Sequence, residues 1–187
     1  MEGIIVVEPS SEFEYNQISL SKNPITLGKD MYFTPLYFKD KALYVQPPRC
    51  LTKAGFVTSG KKMYVDLMFR NDECMWVAWI EQLEQTCYDL IATQSHHWFD
   101  TPVSKDDIES RFLSTFKLFK SGKYYVLRVQ VIPRTMVVYN ENRSEIDISD
   151  ITNEMYLISI IEIRGIRFTT KSFQLEIEMK QTMRVRP

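Results

Sequence analysis

The sequence has little glycine, little proline and almost no cysteine or histidine: 6 Gly, 8 Pro, 3 Cys and 2 His in 187 residues. Scarce glycine argues against a loop-rich scaffold and against the glycine-dense phosphate loops of nucleotide enzymes. Walker, GxSxG and dinucleotide-binding motifs are missing, so no cofactor is implied and an enzyme is disfavoured. Cys50, Cys74 and Cys87 are odd in number and lack framework spacing, which speaks against a disulfide-stapled secreted domain and for a reducing compartment. They form no CxxC pair, and Cys87 falls on an apolar stripe where a free thiol acts as a small hydrophobe. His96 and His97 are adjacent, and two neighbouring histidines do not provide the three or four convergent ligands of a metal site. They read as a polar loop after a helix. No apolar run approaches the roughly 20 residues of a transmembrane helix. Ile4-Ile5-Val6-Val7 lacks a basic flank and stops at Glu8-Pro9, so it reads as a short strand rather than a signal peptide. A soluble protein with no membrane attachment is expected.

What is present is core-forming material: 44% apolar residues and 13% aromatic, with 25% charged. A single domain over 1–187 fits that length, with 1–30 as an N-terminal extension or edge strand and 31–187 as the core. The net charge of −1 excludes a uniformly basic protein, but the charges are strongly partitioned. Residues 71–113 carry nine acids against Lys105 and Arg111. Residues 114–140 carry five bases and no acid. Acids lead six to one over 141–162, and bases lead six to two over 163–187. Alternating blocks of this kind can gather into an acidic and a basic face.

Periodicity places the elements. Aromatics and Pro35 between Met31 and Val45 predict short β segments around Lys39-Asp40-Lys41, ending at Pro47-Pro48. From Lys61 to Arg70, Met63, Val65, Leu67 and Phe69 share a core face opposite Lys62, Tyr64, Asp66, Met68 and Arg70. Trp76, Trp79, Ile80, Leu83, Cys87, Leu90 and Ile91 then recur at helical spacing, predicting a helix over about 72–94 capped by Asn71 or Asp72. Ser104 with Asp107 marks a shorter helix to about Leu113. Strands follow over Lys123–Ile132, Val137–Tyr139, Met155–Arg164 and Ser172–Met179, with an acidic loop over 140–150 and Gly165–Lys171 as a hairpin connector. The fold class is mostly β (α+β): an OB-like small β-barrel with a long amphipathic helix inserted between strands and a C-terminal β-hairpin.

Single-strand binding without sequence preference needs cations along the phosphates and exposed aromatics on which bases stack. Lys61, Lys62, Tyr64 and Arg70 lie on or beside the non-core face of one strand. Tyr124 and Arg128 share that face of another, preceded by Lys117, Lys120 and Lys123. Arg49 and Lys53 flank what reads as a turn into the first strand. These eleven residues are the candidate nucleic-acid-binding set, with Lys61, Lys62, Lys117, Lys120, Lys123 and Arg128 on phosphates and Tyr64 and Tyr124 stacking bases.

The segment Lys61-Lys62-Met63-Tyr64-Val65-Asp66-Leu67, followed by Asn71-Asp72-Glu73-Cys74, a long helix and a terminal hairpin from Tyr156 to Val185, resembles a known family. It is similar to the OB-fold single-stranded DNA-binding proteins of podovirus-type phages and nucleocytoplasmic large DNA viruses, over roughly residues 40–185. The resemblance implies a viral protein that coats single-stranded DNA during replication or recombination. It places the protein at a viral replication site in the host cytoplasm or nucleus, or in the virion. The implied partners are single-stranded DNA and viral replication proteins, with a homo-oligomer as a further candidate. The phage proteins end in an acidic tail, whereas this sequence ends Lys180-Gln181-Thr182-Met183-Arg184-Val185-Arg186-Pro187, so partner recruitment through such a tail is not expected. The alternative is a β-rich virion structural or assembly protein using the same aromatic strands for protein contacts.

Overall fold

The computed structural model describes residues 4–187 and places about twice as many of them in strands as in helices. In chain order these are β1 (Val6–Val7), β2 (Ile18–Leu20), β3 (Ile25–Gly28), β4 (Met31–Phe38), β5 (Leu43–Val45), β6 (Cys50–Ser59) and β7 (Lys62–Arg70). Two helices follow, α1 (Cys74–Trp98) and α2 (Lys105–Arg111). The chain then continues through β8 (Phe116–Phe119), β9 (Tyr124–Val131), β10 (Val137–Tyr139), β11 (Tyr156–Phe168) and β12 (Phe173–Val185). The mostly β class with an inserted helix and a terminal hairpin is what the sequence pattern predicts.

Five strands define the centre. β6 pairs antiparallel with β7, β7 antiparallel with β9, β9 parallel with β12, β12 antiparallel with β11, and β11 antiparallel with β6. The pairing therefore returns to its starting strand, in the order first, second, third, fifth, fourth, which is the connectivity of an OB-type arrangement. Two ladders are short: β9 meets β12 only at Gln130 and Val131, and β11 meets β6 only at Tyr156 and Leu157. The circuit is thus partly open, with one of its openings between β9 and β12. β4 and β5 add to β11, with β2 and β3 pairing to β4.

The predicted alternation decides what is buried. Val65, Leu67 and Phe69 of β7 and Leu127, Val129 and Val131 of β9 enter one core with Ile161 and Ile163 of β11 and Ile177 and Met179 of β12. α1 buries Trp76, Trp79, Ile80, Leu83, Cys87, Tyr88 and Ile91 against that core. Trp76 packs on Phe69 and Phe116, and Trp79 on Phe13. Truncating such a residue to alanine typically costs about 3–5 kcal/mol, so the helix is integral to the domain.

Several boundaries differ from expectation, each for a local reason. Neither Asn71 nor Asp72 caps α1: Glu73 precedes the helix, and no side chain caps it. Asn71 instead donates through Nδ2 to the Gly122 carbonyl at 3.1 Å, and Asp72 pairs with Arg70 at 3.4 Å. The helix runs on to Trp98, so His96 and His97 form its last turn rather than a loop. Ser104 does cap α2, accepting from the Asp107 N–H at 3.2 Å. β11 continues through Gly165 to Phe168, leaving only Thr169–Ser172 as connector. Arg49 and Lys53 do not flank a turn: β6 occupies Cys50–Ser59, and a register shift between Thr52 and Phe56 bulges it. Gly55 takes φ +65° in that bulge, and a Cβ there would press on the backbone at Ile151 and Thr152.

Cys50 and Cys87 are buried, and burial pushes both thiols well above their ordinary range, whereas Cys74 is exposed. Native protein should therefore consume one equivalent of an aromatic disulfide reagent, and three after denaturation. Rapid reaction of a second thiol in the native state would contradict this core.

Candidate nucleic-acid interface

The outer face of β7 and β9 is built by their register. Asp66 lies opposite Arg128, Tyr64 opposite Gln130, Met68 opposite Val126 and Arg70 opposite Tyr124. β8 extends the face from the far edge of β9, setting Phe119 opposite Tyr124 and Lys117 opposite Val126. The same edge of β9 is shared by two neighbours. β8 takes its first half and β12 pairs only at Gln130–Val131, so the chain parts around Arg128.

Two clefts occupy this parting. One, of about 370 Å³, is bounded by Lys53, Asp66, Ser114–Thr115, Lys117–Phe119, Arg128 and Gln174. The other, of about 330 Å³, is bounded by Ser59, Lys62, Tyr64, Arg128, Gln130, Arg167 and Gln174. Arg128, Gln174, Leu175 and Ile177 belong to both, so the clefts make one groove across β7, β9 and β12. In OB-type folds oligonucleotides lie on the face of strands two and three and the adjoining loops, and in this order those strands are β7 and β9, which line the groove.

The candidate residues divide sharply. Lys62, Tyr64 and Arg128 line the groove, as do Lys53 and Lys117. Lys120 and Lys123 stand at the β8–β9 turn, 5.8 and 5.5 Å from the Tyr124 ring. Lys53 lies 4.6 Å from the ring of Phe119. Lys61 sits in the β6–β7 turn, exposed beside Lys62. Among the described residues, none of these six lysines takes part in an ion pair. Their charges are uncompensated. Arg70 is held by Asp72, and Arg128 by Asp66. Arg49 is not brought to the groove: it lies 4.6 Å over Tyr156, donates to the Arg186 carbonyl at 3.2 Å and borders a separate cleft with Pro47 and Trp76.

Four contributors escaped sequence reasoning. Phe119 pairs across the hairpin with Tyr124, doubling the aromatic surface. Exposed Leu118, Arg167 and Gln174 complete the rim. Phe119 had a legible signal, because Lys120-Ser121-Gly122-Lys123 is a hairpin turn and its flanking residues must face one another.

The described residues contain no group of three or more His, Cys, Asp or Glu able to hold a metal, and no helix long and apolar enough to cross a membrane. No protein-family model and no curated protein matches the sequence. Solved structures do match. The fold is similar to that of phage single-stranded DNA-binding proteins. The single-stranded DNA-binding protein of bacteriophage Enc34, solved in complex with ssDNA, aligns with a TM-score of 0.53 over 88% of this chain and 94% of its own, at 12% identity. A C-terminally truncated form of that protein gives 0.53 at 11% identity, covering 90% of this chain and 95% of its own. The gp2.5 protein of bacteriophage T7, a single-stranded DNA-binding protein, gives 0.51 at 8% identity over 76% of this chain and 91% of its own.

Proposed function

We propose that this chain binds single-stranded DNA without sequence preference, in the replication or recombination of a viral genome, phage or large DNA virus. The observation that carries the reading is a groove across β7, β9 and β12 lined by Lys53, Lys62, Lys117, Tyr64 and Phe119, with Lys61, Lys120, Lys123 and Tyr124 at the adjoining turns, all six lysines free of ion pairs among the described residues. Cations kept unpaired beside half-buried rings that leave part of their surface open are what a sequence-tolerant single-strand site uses. The likeness in fold to proteins named for that activity supports the same reading.

The mechanism is equilibrium coating, with no covalent step. Phosphates track Lys53, Lys62, Lys117, Lys120 and Lys123, each contact releasing counterions. Bases stack on the Phe119–Tyr124 pair and at Tyr64, at about 1–3 kcal/mol per base. Viral replication proteins are the partners this role brings, at the site of viral DNA synthesis.

Fluorescence anisotropy with labelled oligo-dT and a duplex of equal length, over a salt series, tests the proposal. Preference for the single strand with a steep salt slope is expected. No binding to oligo-dT at low salt, or equal affinity for duplex, would sink it and leave the virion-assembly alternative.

A further inference from the structure

Arg128 stands at the middle of the groove, yet its geometry is unlike that of the lysines around it. Its Nε and Nη2 donate to the two carboxylate oxygens of Asp66, both at 2.9 Å, across a directly opposed strand pair. The guanidinium lies 3.9 Å from the ring centre of Tyr64, two residues from Asp66 on the same face. The Asp66 side chain is 10% exposed and that of Arg128 is 60% exposed. The carboxylate is therefore sunk beneath the arginine, while the arginine remains open to the groove.

A bidentate fork fixes the plane of a guanidinium as well as its position. It also leaves the pair with no net charge, so Arg128 has no counterions to release to a phosphate. A cross-strand ion pair alone would not require the guanidinium to lie over a ring. Resting on the reading of the groove as a single-strand site, we infer that Arg128 is a base-stacking plane rather than a phosphate contact. Asp66 is the positioning residue that holds it flat against Tyr64, so that a base, the guanidinium and the phenol ring form one stack. An acid in a basic groove thereby has a role: it trades one unit of phosphate attraction for a rigid surface that recognises any base.

The test compares Arg128→Lys and Asp66→Asn with the wild type on oligo-dT and on an abasic oligonucleotide of the same length, each over a salt series. Lysine keeps the charge and loses the plane. Arg128→Lys should bind oligo-dT about 5- to 150-fold more weakly, the range expected for one lost stacking contact. It should match the wild type on the abasic strand, where there is nothing to stack. Asp66→Asn frees the arginine. It should steepen the salt slope by about 0.7 through one more phosphate contact, and shrink the preference for oligo-dT over the abasic strand. A role confined to sheet pairing would leave that preference unchanged. Binding of oligo-dT by Arg128→Lys within twofold of the wild type would overturn the inference while leaving single-strand binding intact. Failure of the wild type to bind either strand would remove the functional reading and this inference together. Thermal midpoints establish that each variant is folded, and if Asp66→Asn does not fold, the Arg128→Lys comparison decides alone.

Discussion

Replacing Lys62, Lys117, Lys120 and Lys123 together by alanine should weaken oligo-dT binding by about 10³-fold or more at 50 mM salt, from the counterion slope of about 0.7 per phosphate contact on a single strand. The slope itself should flatten by about 3. All four side chains are exposed, and none takes part in an ion pair among the described residues. The substitutions should thus leave stability within about 0.5 kcal/mol per site, as is usual for surface positions. A control pair sharpens the result. Lys39 and Lys105 are equally cationic but engaged by Glu14 and Asp89, away from the groove. Removing both should change affinity little. If instead the two sets weaken binding alike, the attraction is diffuse and the groove is not the site; an unchanged slope in the quadruple variant would show that these lysines meet no phosphates.

The sequence is legible where one physical rule governs a long segment. β7 and β9 alternate over eight or nine residues, so their core and outer faces, and with them Lys62, Tyr64, Tyr124 and Arg128, follow from the alternation alone. α1 is legible because its apolar stripe persists through Ile91, although its cap is not. Asn71, a good capping residue in isolation, is spent on the Gly122 carbonyl, a partner 51 positions away. β6 is hidden because the bulge after Thr52 interrupts its alternation, and this same bulge frees Lys53 to reach the groove. β8 is hidden because four residues are too few to show a period. Arg49 is misplaced for the opposite reason. Closeness in sequence to β6 suggests closeness to its outer face, but Arg49, just before the strand, is turned toward Tyr156 and the chain just beyond β12. Charge counting finds the basic blocks, yet only the register of β7 against β9 shows that Asp66, an acid on this face, is committed to Arg128.

Gly165→Ala should destabilise the fold by about 3 kcal/mol, the upper part of the range for overpacked cores. At about 2–4 °C per kcal/mol for a chain of this size, the thermal midpoint should fall by about 6–12 °C. β11 performs two tasks in sequence: Ile161–Ile163 pair with β5, and Gly165–Phe168 pair with β4, with a register shift against β12 between Ile163 and Gly165. The glycine permits the change by letting β4 approach closely. A Cβ at this position would overlap the Thr34 carbonyl and stand 2.8 Å from the Phe33 ring. Neither neighbour can retreat. Thr34 is fully buried and donates from Oγ1 to the Ser21 carbonyl at 2.7 Å, and Phe33 is paired with Arg167 across the same ladder. Gly28→Ala provides the contrast, because nothing lies within 4 Å of its added Cβ, and it should stay within about 0.5 kcal/mol. Because Arg164, immediately before Gly165, pairs with Glu178 at 3.2 Å, and Glu178 faces Gln130 at the β9–β12 junction, strain at the glycine reaches the short ladder beside the groove. Gly165→Ala should therefore lose single-strand affinity together with stability, whereas the quadruple lysine variant loses affinity alone. Melting curves and anisotropy on the two variants separate a groove that fails for want of charge from one that fails for want of its frame.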